Sequence, residues 1–322
     1  MPTATEHFRI ADLELEAHRF GDDSTGPKLI VLGAVHGNEV CGSLAIRQLI
    51  TALNSGDVLI RRGSVTFVPV ANPLAWKLRS REGQRNLNRR LQPTDNPVEF
   101  EDRVANWLCP LLARHDVLLD LHSFHTPGDP FVMLGPDDND GPLEAFTRSA
   151  EERAMARHLG IHRFVDGWLD TYARGVARRK TGDAGADPRY GIGTTEYMRS
   201  FGGYGVTVEC GQHDDAAAVD VARHCILNTL AFLGLTDDSA PKPVDRIEHL
   251  RLVDVVDRHD EDDRFTHHWD SFDALRAGEI IGRRADGTPV TAPDDGLILF
   301  PNPDAAPDRE WFYLADRISE AL

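Results

Sequence analysis

The sequence is poor in cysteine and has no paired cysteine spacing. Its four cysteines, Cys41, Cys109, Cys210 and Cys225, are scattered along 322 residues. A disulfide framework or a cysteine-type zinc site places its cysteines at recognisable spacings. The sequence therefore indicates neither of these two features.

Long apolar runs and an excess of basic residues are also lacking. No stretch approaches the roughly 18 apolar residues that span a bilayer. The first residues, MPTATEHFRIADLE, have neither the basic start nor the apolar segment of a secretory signal. The net charge of −17 argues against nucleic-acid binding, because such binding needs a basic face. We predict a cytoplasmic protein without a membrane or nucleic-acid partner. The sequence does not decide whether the chain forms a homo-oligomer.

What is present is the pattern of a globular α/β protein. Apolar residues make up 41% and charged residues 27% of the chain, which is ordinary for a folded domain. Strand-like and helix-like segments alternate up to residue 233, which predicts a mostly parallel, mixed sheet with helices on both faces. Strands are expected at 13–20, 28–35, 64–70, 116–121 and 204–210, helices at 40–53, 98–112, 141–159 and 216–233, and loops at 79–91 and 167–193.

The amino-acid composition of the sequence changes near residue 236. The stretch TDDSAPKP has the composition of a linker. Short β-rich pieces follow it, such as 246–256 and 296–300, separated by Gly, Pro and Asp turns. We therefore predict a catalytic α/β domain over residues 1–238 and a small β-rich domain over residues 239–322 that caps the site.

A candidate metal site begins in the stretch KLIVLGAVHGNEVCGSLAIRQLI, where a buried strand turns into a helix. The turn carries His36 and Glu39. His122 directly follows another buried strand, DVLLDL, and sites in open α/β sheets form beyond the carboxyl ends of the strands. A catalytic zinc takes three imidazole or carboxylate ligands and keeps a position open. We predict one zinc per chain on His36, Glu39 and His122. The alternative for His122 alone is a hydrogen-bonded histidine near the core.

Two carboxylates stand close to these candidate ligands in the predicted sheet. Glu209 lies near the end of the strand YGVTV, where an unpaired carboxylate is costly unless it has a function. We predict that it is the general base, which takes a proton from water and delivers it to the leaving nitrogen. The alternative is a Glu paired with an arginine. Asp120 shares a strand face with His122 and could orient it, although a structural or solvated Asp fits the pattern equally well.

An arginine-rich segment supplies positive charge. Asn88 and Arg89 could together hold a substrate carboxylate, because a guanidinium and a neighbouring amide present parallel donors. Arg79, Arg81 and Arg85 are further candidates. For each arginine the alternative is a solvated surface side chain, and for all except Arg89 that alternative is the stronger.

Four motifs in this order, GAVHGNE, NLNR, DLH and VTVECG, resemble the succinylglutamate desuccinylase/aspartoacylase family, which is related to the zinc carboxypeptidases. The stretch VTAPDDGLILF resembles the family's C-terminal β domain. The resemblance implies a zinc carboxypeptidase-like fold and hydrolysis of an amide between an acyl group and an amino acid or similar amine. Position by position, it implies zinc on His36, Glu39 and His122, carboxylate binding by Asn88 and Arg89, and Glu209 as the catalytic carboxylate.

One position departs from aspartoacylase itself. An arginine that follows its Asn-Pro pair is thought to polarise the scissile carbonyl or bind substrate, and here Leu74 follows Asn72-Pro73. The resemblance suggests that Arg81 substitutes in part. It also matches Tyr313, in REWFYLADR, to a C-terminal tyrosine that reaches into the family's site.

The sequence therefore predicts a zinc-dependent amidohydrolase that removes the acyl group of a small N-acyl amino acid or N-acyl diamino acid. The amide's resonance makes this hydrolysis slow in water, which is why a Lewis acid and a base are needed together. Two alternatives remain. The first is a zinc metallocarboxypeptidase acting on peptides, and the second is a non-catalytic relative that binds zinc or carboxylates.

Overall fold

One sheet of twelve strands runs through the part of the chain that the computed structural model describes, residues 1–179 and 187–319. A separate three-stranded sheet lies near the C-terminus. The strands are β1 (Ala4–Ile10), β2 (Leu13–Gly21), β3 (Lys28–Gly33), β4 (Ser64–Val68), β5 (Val117–Phe124), β6 (Phe131–Met133), β7 (Arg163–Asp166), β8 (Tyr204–Gln212), β9 (Glu248–Asp257), β10 (Arg264–Phe265), β11 (Ala274–Leu275), β12 (Ile280–Arg283), β13 (Pro289–Thr291), β14 (Gly296–Leu299) and β15 (Glu310–Arg317). The helices are α1 (Cys41–Ser55), α2 (Pro73–Leu78), α3 (Phe100–Ala113), α4 (Ser149–Arg157), α5 (Trp168–Val176), α6 (Thr194–Ser200) and α7 (Ala217–Phe232).

The large sheet is mixed, and the prediction of a mostly parallel sheet was wrong in this respect. Its strand order is β1-β2-β4-β3-β5-β8-β6-β7-β9-β15-β14-β11. Neighbours are parallel from β4 to β8 and from β6 to β9. The β1–β2 hairpin with β4, the β8–β6 pair and the strands beyond β9 are antiparallel. Antiparallel neighbours therefore dominate at both edges of the sheet.

The centre of the sheet is buried on both faces by helices. In β3, Leu29 and Val31 pack into one core cluster, whereas Ile30 and Leu32 pack into another. Side chains of a strand alternate between its faces, so the two clusters lie on opposite sides. The first cluster includes residues of α1 and α7, and the second includes residues of α3 and α6. The predicted helical layers on both faces are present.

The segment after α7 joins the same large sheet. Strand β9 pairs in parallel with β7, and β15, β14 and β11 follow as antiparallel neighbours. Strands β10, β12 and β13 form the small second sheet. The predicted β-rich character of this segment agrees with the structure, and the domain boundary at residue 238 stays a prediction.

Short elements account for most differences from the predicted elements. Helix α2 and strands β6 and β7 had not been predicted, since three to six residues carry too little periodicity. Helix α5 lies in the segment 167–193, where a loop had been predicted, and α6 follows that segment, where no element had been predicted. Residues 180–186 lie outside the described residues. The predicted helix 141–159 begins only at Ser149. No helix among the described residues is long and apolar enough to cross a membrane.

Candidate active site

The turn between β3 and α1 brings His36 and Glu39 into the interior. Their relative exposures are only 2% and 1%. Gly37 lies against α2, and a Cβ there would come within 1.9 Å of the backbone carbon of Ala75. Only glycine fits at this contact, because real Cβ atoms essentially never approach a neighbour this closely. The tight packing fixes the turn that carries both side chains.

His122 reaches the same point from inside strand β5, not from directly after it as predicted. The strand continues to Phe124, and His122 is opposite Glu209 of β8 in the parallel register. His122 Nδ1 lies 2.8 Å from Glu39 Oε2, and His36 Nδ1 lies 2.8 Å from Glu39 Oε1. One ligand atom from each of the three residues lies within 4.8 Å of the other two. A buried carboxylate thus stands between two imidazoles.

The far nitrogens of both imidazoles face oxygen atoms. His36 Nε2 lies 3.0 Å from Asn86 Oδ1, and His122 Nε2 lies 3.0 Å from Asp120 Oδ2. Each oxygen favours a proton on Nε2, which leaves the lone pair of a neutral ring on Nδ1, facing Glu39. Two imidazole lone pairs and one carboxylate are a donor set that zinc takes in catalytic sites. The three residues therefore fit a zinc ion.

The charges around the two imidazoles differ. Burial lowers the pKa of His36 to about 4, and the charge of Arg81 acts in the same direction. Burial also acts against protonation of His122, but the charges of Asp120 and Glu39 outweigh it and raise its pKa well above the usual value. For Glu39, burial is outweighed by His36 and His122, which hold its pKa well below the usual range. Glu39 is therefore anionic near neutral pH.

Glu209 has a buried carboxylate oxygen without a partner. Its Oε2 accepts no hydrogen bond from any residue that the structure describes. Burial raises the pKa of Glu209 to about 8, and the nearby charge of Glu39 adds to the shift. An unpaired buried carboxylate destabilises a fold, and such groups with shifted pKa values concentrate at functional sites.

These side chains border one cavity of about 460 Å³. The predicted site residues that line it are His36, His122, Glu209, Asn88, Arg89, Arg81 and Tyr313. Glu39 is buried and lies 2.8 Å from each of the two histidines. Residues of the C-terminal segment form part of the wall, among them Phe300, Asn302, Asp304, Arg309 and Glu310. The structure thus brings the predicted residues together, whereas their individual roles stay predictions.

Asn88 and Arg89 are held by neighbouring elements. Asn88 Oδ1 accepts a hydrogen bond from the backbone N–H of Thr194 at 2.9 Å, so its amide donors are left for the cavity. The Arg89 guanidinium lies over the rings of Trp168, at 4.7 Å, and Tyr172, at 5.5 Å. Burial alone would lower the pKa of Arg89, but the charge of Glu310 outweighs it and raises the pKa. Both side chains are therefore suited to hold a carboxylate.

The remaining arginine candidates differ in their surroundings. Arg81 is half exposed and donates from Nη1 to Glu39 Oε1 at 2.9 Å. Arg85 is buried and bonded to Asp102, so it has a structural role. Arg79 ends helix α2 with a positive φ of 53°. Leu74 packs at the edge of a core cluster. Arg81 is the one of these four that lies beside the candidate ligands.

Tyr313 lies in the cavity wall, as the resemblance implied. Its side chain is only 3% exposed, and among the described residues its hydroxyl has no hydrogen-bond partner. The ring lies 5.5 Å from that of Trp168. An unsatisfied buried hydroxyl at a cavity is a group that a bound ligand could satisfy.

Several cavity residues had not been predicted. His213 lies 2.9 Å from Ser123 Oγ through Nδ1, and His125 Nε2 lies 2.8 Å from the carbonyl oxygen of Pro301. Both histidines stand close in sequence to predicted residues, in HSFH and ECGQH, and this proximity was the available signal. Trp168, Tyr172, Glu196, Arg199 and Glu310 also line the cavity and carry no such signal.

Comparison with known proteins finds similarity over the first part of the chain. The family model described as the succinylglutamate desuccinylase/aspartoacylase catalytic domain matches residues 25–130, which include His36, Glu39, Asn88, Arg89 and His122. Over these residues the chain is similar to that family's catalytic domain. A curated relative in Halomonas elongata, N-alpha-acetyl-L-2,4-diaminobutyric acid deacetylase, is 33% identical over 102 residues. That match spans 30% of this chain and only 29% of the relative's length.

Solved structures of desuccinylase/aspartoacylase proteins share the fold. A succinylglutamate desuccinylase/aspartoacylase from Rhodobacter sphaeroides has a TM-score of 0.69 at 19% identity, covering 96% of this chain and 90% of its own. The ectoine utilization protein EutE from Ruegeria pomeroyi, in a product-bound structure, has a TM-score of 0.67 at 20% identity, with coverages of 93% and 92%. These similarities confirm a mixed α/β fold over nearly the whole chain.

Proposed function

We propose that the protein is a zinc-dependent amidohydrolase that removes the acyl group of a small N-acyl amino acid or N-acyl diamino acid. The observation that carries this proposal is the convergence of two imidazole Nδ1 atoms, one buried carboxylate and the unpartnered Glu209 in one cavity. The name of the Halomonas relative, a deacetylase of an N-acetylated diamino acid, supports the class of substrate.

His36, Glu39 and His122 would hold the zinc ion, one per chain. When bound, zinc supplies a Lewis acid that polarises an amide carbonyl and lowers the pKa of water towards about 7. Asn86 Oδ1 is hydrogen-bonded to His36 Nε2, and Asp120 Oδ2 lies 3.0 Å from His122 Nε2. Such outer contacts orient ligands and strengthen them as donors.

Glu209 would move the proton. Its Oε2, which has no partner among the described residues, would accept the proton from water and later deliver it. The receiving group is the leaving amine nitrogen, which must be protonated for the C–N bond to break. The register of the sheet, in which Glu209 is opposite His122, supports this role beside the proposed ligands.

The substrate carboxylate would lie on Asn88 and Arg89. The amide donors of Asn88 and the guanidinium of Arg89 both border the cavity, and the aromatic rings on Arg89 restrict its movement. Arg81 and Tyr313 are proposed as further substrate contacts, since both line the same cavity. A cavity of about 460 Å³ favours a small substrate over a peptide.

The test is amine release by zinc-loaded protein from N-acetyl and N-succinyl amino acids, N-acetylated diamino acids and short peptides. We expect turnover of one acyl-amino acid class, and a Glu209→Gln variant that retains zinc but loses about two to four orders of magnitude in kcat. Glu151→Gln, at an exposed position on α4, is the matched control. Cleavage of peptides alone would indicate a carboxypeptidase. No release from any substrate by zinc-loaded protein would favour a binding protein.

A further inference from the structure

The wall of the cavity formed by α6 contains an arginine that is bound by carboxylates of the protein. Arg199 is buried, and its Nε and Nη2 donate to Glu152 at 2.9 and 3.1 Å. Nη2 also donates to the carbonyl oxygen of Gly205, and Nη1 donates to Glu144 at 2.7 Å. Four of the five N–H donors of the guanidinium have an acceptor, and the nearest carboxylate oxygen left for the second Nη1 donor is Glu196 Oε1 at 3.7 Å. The positive charge of Arg199 is therefore compensated by carboxylates of the protein.

Negative charge exceeds positive charge around this guanidinium. Three carboxylates surround it, because Glu196 Oε1 lies 3.7 Å from Nη1 in addition to the contacts of Glu144 and Glu152. Burial raises the pKa of Glu144 to about 7, and the charges of Glu196 and Glu152 contribute to the shift. A buried group of this kind would be stabilised by a further cation and destabilised by a further anion.

Glu196 presents this excess charge to the cavity. It lines the cavity together with Thr195 and Arg199. Its Oε2 accepts from the backbone N–H of Gly193 at 2.9 Å, and its Oε1 accepts from Thr195 Oγ1 at 3.2 Å. An ionised carboxylate has about four acceptor positions, so lone pairs remain for a ligand.

The α6 wall lies next to both ends of the proposed reaction site. The backbone N–H of Thr194, at the start of α6, donates to Asn88 Oδ1. Asn88 and Arg89 together are called the carboxylate clamp. Thr194 Oγ1 also donates to Asp120, whose Oδ2 lies 3.0 Å from His122 Nε2, so the start of α6 contacts both the clamp and the surroundings of the candidate metal ligands. A substrate with its carboxylate on the clamp and its amide at the candidate metal ligands has the α6 wall beside it, where its side chain can lie.

The cavity is a ligand site on grounds that do not depend on the carboxylates. The hydroxyl of Tyr313 in its wall is unpartnered within the described part of the chain, and the side chain is 97% buried because its exposure is 3%. The Oε2 of Glu209 is unpartnered in the same way. Buried polar groups without a partner point to a ligand that completes their hydrogen bonds.

We propose that the α6 wall selects N-acyl amino acids whose side chain ends in an ammonium group and rejects those whose side chain ends in a carboxylate, with Glu196 as the specificity-determining residue. This inference rests on the proposed function, because it assigns the substrate's side chain to a wall of that site. It separates this chain from relatives named for succinylglutamate or aspartate derivatives, whose amino acids carry side-chain carboxylates.

The test compares three substrates of similar shape: N-acetyl-2,4-diaminobutyrate, N-acetylnorvaline and N-acetylglutamate. We expect kcat/KM to fall in that order for the wild type. Glu196→Gln can still cap α6. In this variant the ratio of kcat/KM for N-acetyl-2,4-diaminobutyrate to kcat/KM for N-acetylnorvaline should fall about 10- to 100-fold, as expected for loss of a charged hydrogen bond. Glu144→Gln, one contact further from the cavity, should lower the ratio less, and Glu151→Gln should not change it.

Binding of the free amino acids by zinc-loaded protein, measured by calorimetry, tests the selectivity without turnover. Diaminobutyrate should bind more tightly than norvaline and glutamate, and Glu196→Gln should remove most of this preference while its melting temperature stays near that of the wild type. Equal binding of the three amino acids, or an unchanged ratio in Glu196→Gln, would overturn the inference. Selective binding without amine release from any substrate would instead contradict the proposed function alone.

Discussion

Glu144 offers a test of the charge imbalance around Arg199 that needs neither metal nor substrate. Its side chain is 12% exposed and donates nothing, but accepts from Arg199 Nη1. Burial raises its pKa from 4.5 to about 7. The folded protein therefore holds a proton on Glu144 more tightly than the unfolded chain does, and unfolding releases that proton between these two pH values.

The sign and size of the effect follow from this difference. Below about pH 4.5 Glu144 is protonated in both the folded and the unfolded protein, so its charge does not lower the free energy of unfolding. As pH rises from 4.5 to 7, the unfolded chain loses its proton first, so the free energy of unfolding falls by about 1.4 kcal/mol per pH unit. The full loss is about 3 kcal/mol and is complete above pH 7.

Glu144→Gln removes the titrating group and keeps an oxygen that can accept from Arg199. We expect the variant to gain stability over the wild type progressively from pH 4.5 to 7, reaching on the order of 2–3 kcal/mol. Urea unfolding of metal-free wild-type, variant and Glu151→Gln control proteins at several pH values measures this difference. A difference that does not change with pH, or one that decreases as pH rises, would refute the reasoning.

Two further changes test the proposed site. Gly37→Ala should destabilise the fold by roughly 1–3 kcal/mol and weaken zinc binding, because the new Cβ meets the α2 backbone. Gly141→Ala, which meets only a side-chain oxygen at 3.0 Å, is the control for urea unfolding and zinc titration. Equal effects of the two substitutions would count against a role of the Gly37 packing in zinc binding. Trp168→Leu should raise KM roughly 2- to 30-fold with little change in kcat, because Arg89 loses its stacking partner. Trp107→Leu, which removes a stacked pair with Phe8, is the control. Steady-state kinetics in which Trp168→Leu lowers kcat and leaves KM unchanged would argue against a role of Trp168 in positioning Arg89.

The central strands and the candidate metal site were predictable because their signals are local. The apolar run before His36 and the run before His122 mark buried strands, and neighbouring parallel strands bring their carboxyl ends together. The motif order then pointed to Asn88, Arg89 and Glu209. The structure places all of these residues around one cavity.

The edges of the sheet and the cavity's charged wall were not predictable in the same way. Strands β6 and β7 contain only three and four residues, too few for a periodic pattern. Arg199 and Glu196 look like surface charges on a short helix, since nothing in the sequence shows that Glu144 and Glu152 lie across from them. Contacts between residues distant in sequence form only after the chain has folded.

The most direct test of the proposed deacylase is a titration of activity with zinc. Zinc is added stepwise to metal-free protein. At each step, the rate of amine release from the best substrate and the amount of bound zinc are both measured. We expect activity to rise in proportion to bound zinc and to level off at one equivalent, and Glu209→Gln to bind the same equivalent with almost no release. Activity that is complete without zinc, or near-normal release by zinc-loaded Glu209→Gln, would contradict a zinc site served by Glu209.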